Sequence, residues 1–307
     1  MEDPNKPNAV IWYIAARPCL KMNLELLYKN FNNKYKYPVL VFTFGKQFSK
    51  RFIGSIHKKI DPTIKFIELE QPKTPSHVKE NELFFNRKEI PYVKKSFSKL
   101  RVGYLHTNYF VCGKIMDHPE MQKYDLALKM DDDTFFIQEI GYDILEFAKD
   151  NDYKFASFAI KKYDSERNKQ CQIGLRELVK EYIKENSIEC GVINKALDKD
   201  GNWDSICPYH PSIWDLSIFK NQNWKNWWNY IDESGGIYKY RWGDLEIHSL
   251  YMRMYYSDSA WYNFGFYEKG KCKHGGYGMV YQGSKTKQRF LRSRGKVIYL
   301  LNIFKKS

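Results

Sequence analysis

The sequence predicts an α/β fold with a mixed, mostly parallel sheet flanked by helices, and three observations carry that prediction. Short apolar runs alternate with segments of helical apolar spacing through the first half of the chain. An acidic triplet, Asp131-Asp132-Asp133, closes one of those runs, and ligands in such folds collect beyond the carboxyl ends of the strands. No internal repeat or low-complexity linker interrupts the pattern, so one domain over 1–283 is expected, followed by a basic C-terminal tail over 284–307.

The first run, Ala9 to Ala16 (AVIWYIAA), is unbroken, as a strand buried on both faces requires. Leu20 to Phe31 follows with apolar residues at helical spacing. Pro38 to Phe44 (PVLVFTF) and Ile64 to Leu69 (IKFIEL) read as the second and third strands, and a long basic and aromatic helical stretch runs from about Tyr92 to Met116. Leu126 to Met130 (LALKM) then leads into the triplet. Tyr142 to Lys149 reads as a helix, Phe155 to Ile160 (FASFAI) as a strand and Leu175 to Asn186 as an amphipathic helix. Asn194 to Cys207 reads as a helix end and loop with Gly201 as its turn. Ile213 to Phe219 is a short strand and Trp224 to Ile231 a helix; after the break Ser234-Gly235-Gly236, Gly243-Asp244 opens a helix through about Tyr255.

With 307 residues, 43% hydrophobic and 17% aromatic, the chain carries enough apolar material for a large core, which excludes intrinsic disorder. Its 8 Trp, 24 Tyr and 20 Phe serve packing, sugar binding or base stacking equally well. The net charge of +14 predicts an anionic partner, yet eight basic residues and no acid lie between Ser284 and Ser307, and without them the excess is only +6. A role in nucleic-acid binding is therefore not expected. No run approaches the ~18 apolar residues of a membrane span, and the polar start, Met1 to Asn8, is no signal peptide, so the chain is expected to be soluble and cytoplasmic. Basic residues flanking Val297 to Phe304 suit peripheral contact with anionic lipid, or else a last element packed on the domain. The six cysteines form no C-x-x-C pair, which argues against a zinc knuckle or a redox motif and favours free thiols.

Three consecutive aspartates raise one another's pKa unless a cation sits among them. A D-x-D pair, Asp131 and Asp133, at a strand end suits Mg²⁺ or Mn²⁺ bridging to a diphosphate; a solvated Asp-rich turn is the plainer reading. A haloacid-dehalogenase-type phosphatase would need D-x-D-x-[TV], but Phe135 stands at the Thr/Val position, which turns the argument towards a nucleotide-sugar transferase. The second constellation is Trp242-Gly243-Asp244-Leu245-Glu246-Ile247-His248. Asp244 suits a helix N-terminus, and His248 lies four residues on, on the same helical face. The pair is either a capped hydrogen-bonded couple or part of a metal and catalytic site.

The run Asn229 to His248 (NYIDESGGIYKYRWGDLEIH) resembles the Y-L-D-x-S-G-G-F-F-Y-E-R-W-G-D-A-P-V-H motif of glycosyltransferase family 15, the fungal α-1,2-mannosyltransferases. Tyr104 to Phe110 (YLHTNYF) is similar to that family's Y-R-H-M-C-R-F segment, and Ile11 to Arg17 to its first strand and arginine. The similarity covers roughly Asn8 to Gly265. It implies a GT-A type fold, a Mn²⁺-dependent retaining transfer from GDP-mannose to a hydroxyl of a glycan or glycoprotein acceptor, and an α-1,2 linkage. By the same resemblance Asp131 and His248 hold the metal, to which the D-x-D reading adds Asp133, while Arg17 and Tyr104 meet the donor's nucleotide or diphosphate.

Two departures bear on the chemistry. Where the fungal proteins have E-P-G, this chain has Asp131-Asp132-Asp133, and where they carry C-H-F-W-S-N-F-E-I, with a glutamate near the sugar, this chain has Cys207-Pro208-Tyr209-His210-Pro211-Ser212-Ile213-Trp214-Asp215. Asp215, the nearest carboxylate by order, is expected as nucleophile, stabiliser or acceptor contact, or as a plain strand-edge residue, and Asp244 is the second catalytic candidate. Trp203, Trp214, Trp242 and Trp261 are candidate sugar-stacking surfaces or core. The alternative to a transferase is a catalytically idle glycan-binding or scaffold protein that keeps the fold.

Overall fold

The structure is a computed structural model and describes residues 6–70, 72–87, 89–90, 102–162, 171–189, 206–274, 289–293 and 296–300. An unbroken apolar stretch has no face to give to water, and such stretches become the middle of the sheet. β1 (Ala9–Ile14) lies between β2 (Val39–Phe44) and β4 (Leu126–Asp131), parallel to both, and β3 (Lys65–Leu69) extends the row beyond β2. On the other side of β4 come β7 (Ile206–Asp215), β6 (Phe155–Lys162) and β8 (Trp261–Asn263), giving the order β3-β2-β1-β4-β7-β6-β8. Within this sheet only β7 runs against the others.

Alternation along β1 assigns each face its own core. Val10 and Trp12 pack with α3 (Val102–Cys112), α6 (Gln222–Ser234) and α8 (Asp244–Tyr255). Ile11 and Tyr13 pack on the opposite face with α1 (Leu20–Leu27), α2 (Lys50–Lys59) and α4 (Ile144–Asp150). Further helices among the described residues include α5 (Leu175–Glu185) and the short α7 (Gly236–Tyr240). Gly235, at φ 67°, ends α6 in the left-handed region, and a Cβ on Gly236 would lie 2.2 Å from the Trp242 ring. These two demands account for the Ser-Gly-Gly break.

Several elements differ from the sequence reading. α1 stops at Leu27 and continues as a π-helical turn, Tyr28–Asn32. α2 has no counterpart among the elements that the apolar pattern predicts, since it buries only Ile56; Ser49 caps it by accepting from the Phe52 N–H at 3.1 Å. The strand expected over Ile213–Phe219 is the end of the longer β7, because Asp215 accepts from the Ser217 N–H at 2.9 Å and turns Leu216–Phe219 into a 3₁₀ helix. Most of the expected loop Asn194–Cys207, with Trp203, and the start of the helix expected from Tyr92 lie outside the described residues. A small pairing joins β5 (Thr134–Phe136) to β9 (Cys272–His274), antiparallel. In the basic segment, β10 (Arg289–Ser293) and β11 (Lys296–Leu300) pair antiparallel with Arg289 opposite Leu300. No helix among the described residues is long and apolar enough to cross a membrane.

Candidate active site

The chain leaves β1 towards β2 and β3 on one side and returns as β4 on the other. The carboxyl ends of β1 and β4 therefore flank a topological switch point, where an α/β sheet opens a crevice. Arg17 follows β1, while Asp131 ends β4 and Asp132 and Asp133 come after it. The Ala16 and Arg17 N–H groups donate to Asp132 Oδ2 at 3.0 and 2.9 Å, and Arg17 Nε donates to Asp132 Oδ1 at 2.6 Å. Burial pushes the Asp132 pKa up, against the pull of Arg17 and the two amides. The middle aspartate thus anchors the turn to β1 and holds Arg17 in place.

The outer two aspartates share one arrangement. Each gives one oxygen to a basic side chain and turns the other towards His274. Asp131 Oδ1 accepts from Lys129 Nζ at 3.0 Å, and its Oδ2 lies 4.0 Å from His274 Nδ1. Asp133 Oδ2 accepts from Arg17 Nη1 at 2.5 Å, and its Oδ1 lies 3.7 Å from His274 Nδ1. That Asp133 oxygen is buried without a hydrogen-bond partner, a costly state for a carboxylate unless a cation completes it. Asp131, Asp133 and His274 offer ligand atoms within 4.8 Å of one another, and two carboxylates with an imidazole fit a divalent ion that accepts both oxygen and nitrogen, such as Mn²⁺. Burial would raise the Asp131 pKa, but Lys129, His210 and His274 overcome it and hold it at about 2.

Asp244, at the first turn of α8, comes to the same place from the helical layer that covers Val10 and Trp12. Its Oδ2 lies 2.8 Å from His210 Nε2 and 3.1 Å from Lys129 Nζ. Burial works against its charge, yet Lys129 and His210 keep its pKa well below the carboxylate range. Lys129 is also buried, and Asp131 and Asp244 more than offset that burial and hold its pKa above the ordinary value.

His248 stands elsewhere. One helical turn beyond Asp244, it is buried with Nε2 2.8 Å from the Cys112 carbonyl oxygen and its ring among Trp214, Phe219 and Trp224. Burial lowers its pKa to about 4 despite the nearby Asp244. Among the described residues the ligand atoms that lie within 4.8 Å of one another belong to Asp131, Asp133 and His274, and His248, whose Nδ1 is buried without a hydrogen-bond partner, is not among them. Asp215 is also displaced from the expected site. It pairs with Leu126 at the start of β4, five residues before Asp131, or about 16 Å along the strand. There it caps the 3₁₀ turn and accepts from Lys154 Nζ at 2.8 Å. Tyr104 accepts from Arg241 Nη2 at 2.8 Å, with the guanidinium 4.9 Å over its ring. Trp214 and Trp242 are core residues, and Trp261 packs against the same core with its Nε1 buried.

Three residues of this site escape a reading of the sequence. Lys129 had a signal, a lysine inside an apolar strand two residues before the aspartates. His210 had only its place in the shortened segment before Asp215. His274 had none nearby, since the β5–β9 pairing alone brings it in, with Thr134 opposite it in register.

The family model described as glycolipid 2-alpha-mannosyltransferase matches residues 1–281. The chain belongs to this family. A probable mannosyltransferase of Candida albicans, MNT3, is 26% identical over 280 residues, covering 86% of this chain and 70% of the relative. The probable mannosyltransferase KTR3 of Saccharomyces cerevisiae is 28% identical over 232 residues, covering 72% of this chain and 55% of the relative. The chain thus spans between 55 and 70% of the length of these two relatives. Core-mannan synthase A of Aspergillus fumigatus, in its Mn/GDP form, superimposes with a TM-score of 0.73 at 17% identity, covering 86% of this chain and 76% of that one. This likeness establishes the shared fold, the GT-A type expected for the mannosyltransferase family.

Proposed function

We propose that the chain is a metal-dependent mannosyltransferase that moves mannose from GDP-mannose to a hydroxyl of a glycan acceptor, with retention and an α-1,2 linkage. The observation that carries this reading is the Asp131–Asp133–His274 group at the switch point, with the buried oxygen of Asp133 lacking a hydrogen-bond partner. Membership of the mannosyltransferase family and the Mn/GDP form of a relative of the same fold support the donor and metal. The imidazole favours Mn²⁺ over Mg²⁺, which prefers oxygen alone. Such an ion would neutralise the departing diphosphate.

The chain's own residues have the following roles in this reading. Arg17, half exposed and fixed by Asp132 and Asp133, faces the diphosphate with a second positive charge. Tyr104, oriented by Arg241, contacts a donor phosphate. Asp244, kept ionised by Lys129 and His210, is the carboxylate that stabilises the positive charge developing on the sugar. The intact ligand group speaks against a catalytically idle scaffold.

The test is a thermal-shift panel of nucleoside diphosphates with and without Mn²⁺, followed by transfer from the matching sugar donor. GDP should stabilise the protein in a Mn²⁺-dependent way, and Asp131→Ala should abolish the effect. A preference for UDP would overturn the GDP-mannose assignment, and absence of both metal-dependent binding and transfer would overturn the enzyme.

A further inference from the structure

We infer that Lys129, clamped by His210, is a positioning residue of the transfer site, fixing which oxygen of Asp131 faces the metal group and tying Asp131 to Asp244. This inference rests on the transferase reading only for its kinetic consequence. Lys129 lies within β4, with Trp12 and Ser212 beside it in register, and its side chain is 5% exposed. An ammonium has three N–H donors. Two carboxylate oxygens accept from this one, Asp131 Oδ1 at 3.0 Å and Asp244 Oδ2 at 3.1 Å, and His210 Nε2 lies 2.7 Å from it and 2.8 Å from the same Asp244 oxygen. The two carboxylates and the imidazole enclose the ammonium and fix the direction of the side chain.

Each contact constrains a different element. Asp131 ends β4, Asp244 opens α8 and His210 lies on β7, where its Nδ1 is 3.1 Å from Ser212 Oγ. Lys129 thus joins two strands and a helix at one atom. Because Asp131 Oδ1 is committed to Lys129, Oδ2 is the oxygen left for the group with His274. Arg17 does the same for Asp133. Outer contacts of this kind orient metal-holding side chains. Lys129 differs from Arg17 in also holding Asp244, so the metal end and the sugar end of the site share one buried cation.

The experiment compares the wild-type protein with Lys129→Met and His210→Gln at pH 8, reading Mn²⁺ affinity without donor by calorimetry, then kcat and donor KM. A positive charge beside the metal group opposes a dication, so Lys129→Met should bind Mn²⁺ at least ~3-fold more tightly. The same variant should lose about 100-fold in kcat with donor KM within about 3-fold, since it leaves Asp131 and Asp244 unaligned. Tighter metal with slower transfer is a combination that general loosening of the fold does not produce. Unchanged or weaker Mn²⁺ affinity, or unchanged kcat, overturns the inference. If Lys129→Met does not fold, His210→Gln decides: about a 10-fold loss of kcat at unchanged Mn²⁺ affinity supports it, and an unchanged kcat overturns it. A wild-type protein without transfer would overturn the proposed function instead, and the Mn²⁺ affinities alone would then judge Lys129.

Discussion

Thr134 Oγ1 and His274 Nδ1 lie 2.8 Å apart, 140 residues apart in the chain, at the end of a pairing only three residues long on each strand. Thr134 immediately follows the aspartates, so this contact delivers the histidine to them. His274→Ala should weaken Mn²⁺ binding by at least ~10-fold, as measured by electron paramagnetic resonance. Thr134→Ala, removing an orienting contact, should weaken it by about 10-fold or less. Undiminished Mn²⁺ affinity in His274→Ala would remove the histidine from the ligand set.

His248→Ala should act on stability, not on metal. The substitution empties a site between Trp214, Phe219 and Trp224 and leaves the Cys112 carbonyl without its partner. A loss of about 2–4 kcal/mol in urea unfolding is expected, with Mn²⁺ affinity of the folded protein unaltered.

The same histidine makes stability depend on pH. Burial holds its folded pKa at about 4, below the ordinary value of about 6.5. As pH falls through 6.5 the unfolded chain takes up a proton that the folded chain refuses, so stability declines until pH reaches about 4. The loss is on the order of 3 kcal/mol. Urea midpoints at pH 7.5 and 5.0 should differ in the wild type, and the difference should shrink in His248→Phe.

Arg17→Gln should raise donor KM by 10-fold or more, since it removes a cation from the diphosphate and frees the oxygen of Asp133 that it held. Steady-state kinetics against donor concentration tests this. An unchanged KM would place the diphosphate away from β1.

Asp215→Asn is predicted to leave kcat unchanged. Burial raises the Asp215 pKa, but Lys154 and Ser217 outweigh it and hold the carboxyl below its ordinary value. Its contribution is therefore present above the unfolded pKa and lost as pH falls through the folded one. At pH 7 the variant should be less stable by roughly 1 kcal/mol, and at strongly acid pH the two proteins should converge. A large loss of kcat would return Asp215 to the site.

What sequence reveals here follows from range. β1, β2 and β4 are legible because burial on both faces leaves unbroken apolar runs, and Arg17 and the aspartates are legible because each lies next to the end of such a run. The cluster of Lys129, His210 and Asp244 gathers one residue each from β4, β7 and α8, and no spacing along the chain encodes such a meeting. His274 comes through a pairing too short to leave a pattern of alternation. For His248, helical spacing gives the shared face with Asp244, but not the aromatic rings of Trp214, Phe219 and Trp224 that surround it one turn along α8.

Asn23 of α1 holds the acidic turn by its main chain. Its Nδ2 donates to the carbonyl oxygens of Asp131, at 2.9 Å, and Thr134, at 2.5 Å, while its Oδ1 accepts from Tyr13, and the Cys19 thiol donates to the Asp132 carbonyl oxygen at 3.1 Å. None of these grips involves a carboxylate. The path of the turn is thus held twice, through its carbonyl groups by Asn23 and Cys19 and through the Asp132 carboxylate by β1 and Arg17, and only Asp131 and Asp133 are left to face His274. A chain built this way separates the labour of the triplet: the middle carboxylate is spent on the scaffold, and the outer pair is kept for whatever cation the crevice receives.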